Sequence, residues 1–90
     1  MKPLTHEEAL TIMRQEIFRI APDADMDSLP TDARFREVLE LDSLDFLNLV
    51  EVLTERTGVR IDEEDYESLL TLSGSADFLV ARTAGHAAAQ

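Results

Sequence analysis

Apolar residues recur along this chain at helical spacing, and strand-like alternation is almost absent. Leu10, Met13, Ile17 and Ile20 follow one another at three, four and three residues, which places them on one face of a helix of roughly four turns. Thr5-His6-Glu7-Glu8 ahead of them has the spacing of a capping box, and Ala21-Pro22 ends the run because proline disfavours helical geometry at the residue before it. The segment from Asp23 to Glu40 is irregular, with a short turn expected over 33–38 and Phe35 and Leu39 as its anchors to the core.

A second helix is expected from Asp42 or Ser43 to about Thr57. Asp42 suits its N-cap and Gly58 its C-terminal stop. Leu47, Val50 and Leu53 form its apolar stripe, widened by Phe46 and Leu49, while Asp45, Asn48, Glu51 and Glu55 lie on the other side. Val59 and Ile61 bracket Arg60 in an extended connection. Asp62-Glu63-Glu64-Asp65 then opens a short third helix, its acids favourable at the positive end, with Tyr66, Leu69, Leu70 and Leu72 as its buried contacts. Ser73 or Ser75 is expected to cap a last helix that turns Ala76, Phe78, Leu79 and Val80 inward. The pattern predicts an all-α, small four-helix bundle: three main helices, one short helix, and a long loop between the first two.

Ninety residues set the scale of one domain, here 1–90, with an ordered core over about 5–82 and an Ala-rich tail over 83–90 that is expected to fray. A chain this short buries only about 60% of its unfolded surface, so its core is thin. Nineteen acidic side chains against eight basic ones leave a net charge of −11. Between Glu37 and Glu67 eleven acids face only Arg56 and Arg60, so −9 of the total sits there. Such a surface repels nucleic-acid phosphates and favours basic patches on protein partners. There is no cysteine, which excludes disulfides and thiolate metal sites and means that any thioester chemistry needs a thiol from outside the chain. No apolar run approaches membrane-spanning length and no signal-like h-region is present, so a cytoplasmic, monomeric protein is expected.

One serine stands out against this background. Ser43 falls at the first turn of the acidic second helix, where unpaired N–H groups and partial positive charge suit a phosphate ester. On their own, Asp42-Ser43 read first as an ordinary N-cap pair. The wider register says more. Phe35-Arg36-Glu37-Val38-Leu39-Glu40-Leu41-Asp42-Ser43-Leu44-Asp45 resembles the F-x-E-x-L-G-x-D-S-L-D stretch of acyl carrier proteins. The resemblance continues through Leu47, Leu49, Val50 and Leu53, Gly58-Val59-Arg60-Ile61, Thr71-Leu72 and Asp77-Phe78-Leu79, and so covers about residues 5–80.

The resemblance implies a carrier that is not itself an enzyme and has no catalytic residue. In that family a phosphopantetheinyl transferase attaches 4'-phosphopantetheine, donated by coenzyme A, to the serine that Ser43 matches. The thiol-ended arm then presents acyl groups as thioesters to downstream acyl-processing enzymes, after a loading ligase or similar enzyme has charged it. On this resemblance Asp42, Leu44, Asp45, Glu51 and Glu55 are partner-recognition residues, and Leu47, Val50, Leu53, Ile61 and Leu69 line the core. The implied role is a discrete acyl carrier in fatty-acid, lipid or secondary-metabolite biosynthesis. Two alternatives stay open: an aminoacyl or peptidyl carrier loaded by a synthetase-like ligase, and an unmodified acidic helical interaction module.

The chain departs from the family pattern at several positions. The usual glycine three residues before the serine is Glu40, which is strained if the bend needs a positive φ. Asn48 replaces a usual glutamate, Phe46 is bulkier than the common residue, and Thr54 and Arg56 interrupt the acidic run. Other chemistries fail. Asp23-Ala24-Asp25-Met26-Asp27 imitates the start of a calcium loop, but Ser28 stands at the glycine and Arg34 at the bidentate glutamate. His6 and His86 lie near opposite ends without ligand spacing, so neither a metal site nor a Ser-His-Asp triad is expected.

Overall fold

A computed structural model describes residues 3–88, with side chains described as far as residue 84. Four α-helices follow in order: α1 (His6–Ile20), the one-turn α2 (Phe35–Val38), α3 (Ser43–Thr57) and α4 (Leu72–Ala88), with a 3₁₀ helix (Glu63–Leu69) between α3 and α4. The expected all-α bundle of three long helices with a long first loop is thus the observed architecture. It carries two short helices: the one-turn α2, where a turn was expected, and the short third helix, which is 3₁₀ rather than α.

Local chemistry sets the ends of α1. Thr5 Oγ1 accepts from the Glu8 N–H at 3.1 Å, and the Glu8 carboxylate accepts from the Thr5 N–H at 2.9 Å. At the far end the Ala21 N–H closes on the Ile17 carbonyl at 2.8 Å, and Pro22 prevents a further turn. The long loop is tied down at three points. Arg14 donates to the Met26 carbonyl at 2.7 Å, the Ser73 N–H donates to the Thr31 carbonyl at 2.8 Å, and Arg34 and Thr71 form an isolated antiparallel bridge. Asp25 accepts from both the N–H and the hydroxyl of Ser28, so the calcium-like stretch is a closed turn.

The core is a single cluster. Ala9, Met13 and Ile17 of α1 meet Leu49 and Leu53 of α3 and Leu72, Ala76 and Leu79 of α4, with Phe35 from α2 and Leu69 from the 3₁₀ helix filling the ends. Fully burying one such large side chain contributes about 1.5–3 kcal/mol. Several expectations need correction. Leu47 is 48% exposed rather than part of the core, because the buried stripe of α3 runs through Phe46, Leu49, Val50, Leu53 and Thr57. Leu70 is exposed, and Leu72 belongs to the first turn of α4 instead of the short helix before it. The cap of α4 is neither Ser73 nor Ser75 but Thr71, whose hydroxyl accepts from the Gly74 N–H at 2.9 Å.

Two buried carboxylates fasten the helices together. Glu16 of α1 is almost wholly buried and takes Arg56 of α3 at 2.7 Å and Arg19 at 3.5 Å. Asp65, one of the acids that open the short third helix, is buried: it accepts from the Asp62 N–H at 3.0 Å and from Arg82 of α4 at 2.8 Å. Thr83 is fully buried and accepts from the Leu4 N–H at 3.1 Å, joining the start of the chain to α4. Residues 89 and 90 of the Ala-rich tail lie outside the described residues.

Candidate functional site

The turn between α2 and α3 sets the position of Ser43. After Val38 the Leu41 N–H reaches back to the Arg36 carbonyl at 2.9 Å and the Glu40 N–H to the Glu37 carbonyl at 3.4 Å. This pair of bonds is a Schellman closure, which needs a left-handed residue just past the helix. Glu40 fills that position with φ 55, where glycine would be relaxed. Leu41 then buries its side chain and the chain enters α3.

Asp42 is the N-cap. Its carboxylate accepts from the Asp45 N–H at 2.8 Å, and Asp45 returns the contact to the Asp42 N–H at 3.4 Å, an all-aspartate capping box. Both carboxylates are therefore occupied in holding the helix start, beside Ser43 at its first position. The Ser43 side chain is exposed and its hydroxyl has no hydrogen-bond partner among the described residues.

Leu44 is 66% exposed, far more than an apolar side chain of its size requires. From there Leu44, Leu47, Glu51 and Glu55 run down one exposed stripe of α3, opposite the buried face. The structure thus gathers Asp42, Ser43, Leu44 and Asp45 at the helix start and places Glu51 and Glu55 further along the same surface. Sequence reasoning missed the exposed Leu47 and also Val38 of α2, which is 58% exposed. Helical spacing gave no signal for Val38, because it lies three residues from the buried Phe35 and only about 60° from it around the one-turn helix.

Among the described residues no side chain is hydrogen-bonded to the serine hydroxyl. His6 faces Asp77 of α4 at 3.1 Å, an α1–α4 contact, and the His86 side chain lies outside the described residues. No group of three or more metal-ligating side chains occurs among the described residues, and no described helix is long and apolar enough to cross a membrane. An accessible, unpartnered hydroxyl at a helix start fits a covalent phosphate ester made by another enzyme, and it does not fit a nucleophile activated in place.

Residues 10–79 match the family described as "Phosphopantetheine attachment site". The chain is 36% identical over 66 residues to the acyl carrier protein of Rubrobacter xylanophilus, covering 73% of this chain and 82% of that protein. It is 30% identical over 80 residues to the acyl carrier protein of Acidothermus cellulolyticus, covering 89% and 94% of the two. With that of Thermosynechococcus vestitus the identity is 38% over 55 residues, or 61% and 68%. The chain belongs to the acyl carrier protein family: it is a carrier rather than a catalyst, and its cofactor is covalently attached phosphopantetheine.

Proposed function

We propose that Ser43 is the attachment point and that the chain works as a single, discrete carrier domain. One observation carries this reading: the Ser43 hydroxyl stands exposed and unpartnered at the first position of α3, between two aspartates whose carboxylates are already engaged. In the modifying step the Ser43 oxygen attacks the phosphorus of coenzyme A that bears pantetheine. A phosphodiester forms, the adenosine bisphosphate half leaves, and the transferase takes the serine proton. When bound, the arm supplies a terminal thiol that holds an acyl group as a thioester.

The chain's own contribution is presentation. The capping box fixes the helix start, so Ser43 has a defined direction, and Leu44 and Leu47 offer apolar contact beside it. Glu51 and Glu55 extend an acidic surface toward basic patches on a transferase, a loading ligase and downstream acyl-processing enzymes, all encountered in the cytoplasm. Contacts of this kind are guided by charge and short-lived, which suits a carrier that passes between enzymes. Fatty-acid, lipid or secondary-metabolite biosynthesis is the setting we assign.

Incubation with coenzyme A and a broad-specificity transferase tests the assignment by intact mass. The wild type is expected to gain one phosphopantetheinyl unit and Ser43→Ala none. A wild type left unmodified while a control carrier is modified would sink it. Offering the modified protein to fatty-acyl and aminoacyl ligases then separates acyl from aminoacyl cargo.

A further inference from the structure

Among the described residues nearly every arginine is committed. Arg19 and Arg56 meet Glu16, Arg34 meets Glu37, Arg60 meets Asp62, Arg82 meets Asp65, and Arg14 is spent on the Met26 carbonyl. Arg36 differs. Its guanidinium lies over the ring of Phe46, 4.5 Å from the centroid, and it has no carboxylate partner. Arg82 also covers an aromatic ring, that of Phe78, yet still reaches Asp65. An uncommitted guanidinium is unexpected in a chain with nineteen acidic side chains.

Its position explains the exception. Phe46 lies three residues after Ser43 on α3, a spacing that puts the Cβ atoms of helical residues about 5–6 Å apart. The ring is held still by an edge contact with Tyr66, centroids 5.1 Å apart, so the guanidinium rests on a fixed surface. The Arg36 carbonyl is itself part of the turn that leads into Ser43. Beside it opens a cleft of about 240 Å³ lined by Arg34, Arg36, Glu37, Leu41 and Leu70. A guanidinium stacked by its face leaves N–H donors at its edge for an anion.

We propose that Arg36 is the counter-ion of the phosphodiester joining the arm to Ser43, an inference that rests on the assignment of Ser43 above. Without it, a phosphate on Ser43 would bring negative charge beside Asp42 and Asp45, while the other arginine of the cleft, Arg34, already faces Glu37. With it, the new anion gains charge-assisted hydrogen bonds from a donor already in place. Phe46 is then the platform that holds this cation next to Ser43.

Thermal unfolding of the full chain, unmodified and modified, in wild type, Arg36→Met and Arg36→Lys tests this. Methionine keeps an apolar stem over Phe46 and removes the charge together with its N–H donors. At low salt the change in Tm on modification should be more negative in Arg36→Met than in wild type by about 2–6 °C, with Arg36→Lys between them. About 1 M NaCl, which shortens the screening length to about 3 Å, should remove the difference. Equal changes in all three proteins overturn the proposal and leave the carrier assignment standing. A wild type that takes no arm overturns both. Should Arg36→Met not fold, the phosphorus NMR resonance of modified wild type and Arg36→Lys decides: a salt-sensitive displacement supports the pair, and superimposable resonances refute it.

Discussion

Glu40 holds the left-handed position of the α2 closure at φ 55, a conformation that costs an L-residue roughly 1–2 kcal/mol. Glycine removes that strain and returns part of the gain through its freer unfolded chain, about 0.5–1 kcal/mol. Glu40→Gly should therefore stabilise the protein by about 0.5–1 kcal/mol, read as a higher urea midpoint at unchanged m. Glu40→Gln separates charge from backbone, since it removes the carboxylate and keeps the strain; an equal rise in that variant would refute the backbone argument. Leu44, at 66% exposure, supports a second expectation. Leu44→Lys should slow modification of Ser43 several-fold while stability stays within about 0.5 kcal/mol. A large loss of helical CD would place Leu44 in the core and withdraw its docking role. Ser43, Asp42 and Glu40 were legible because caps and turns are set by neighbours in sequence. Leu47 was not. Steps of three lag a helical turn by about 60° each, so Leu47 lies about 120° from Leu53 and leaves the core that Leu53 occupies.

The helices that sequence placed best are those whose ends close on themselves. α1 and α3 each carry a reciprocal capping box, and the second ends at Gly58 in the left-handed region with φ 73. α4 was harder to place because Thr71, Ser73 and Ser75 offer hydroxyls at every second residue. One tertiary and one local bond distinguish them: the Ser73 N–H goes to the distant Thr31 carbonyl, and the Ser75 hydroxyl turns back to the Thr71 carbonyl one turn earlier. Asp65 likewise takes a distant partner, Arg82, seventeen residues away. Inside α4, Gly74 reverses the usual propensity rule. Alanine in a helix interior normally gains about 0.5–1 kcal/mol over glycine. Here an added Cβ would lie 2.9 Å from the Ser68 backbone carbonyl and 3.0 Å from Thr71 Oγ1, the capping oxygen. Backbone cannot swing aside as a side chain can, so Gly74→Ala should destabilise by about 1–2 kcal/mol in urea unfolding. A stabilised variant would show that the 3₁₀–α4 junction yields easily.

At the scale of the molecule the excess charge decides the response to salt. The net charge of −11 was legible at once, but the ion pairs that oppose it were not, because Glu16–Arg56 and Asp65–Arg82 join residues far apart in sequence. Raising salt acts on both. It screens repulsion among the exposed acids, which favours the folded state, and it weakens the ion pairs, which does not. The exposed pairs, such as Arg60–Asp62 and Arg34–Glu37, are worth little in any case. The pairs to Glu16 and Asp65 have one buried partner each and are screened less than surface charges. Repulsion should therefore be the term that changes most. Taking NaCl from about 0.01 to 1 M shortens the screening length from about 30 to 3 Å. The expected result is a rise in Tm of about 5–10 °C, or roughly 1–2 kcal/mol for a domain of this size. A fall in Tm would mean that the ion pairs outweigh the repulsion.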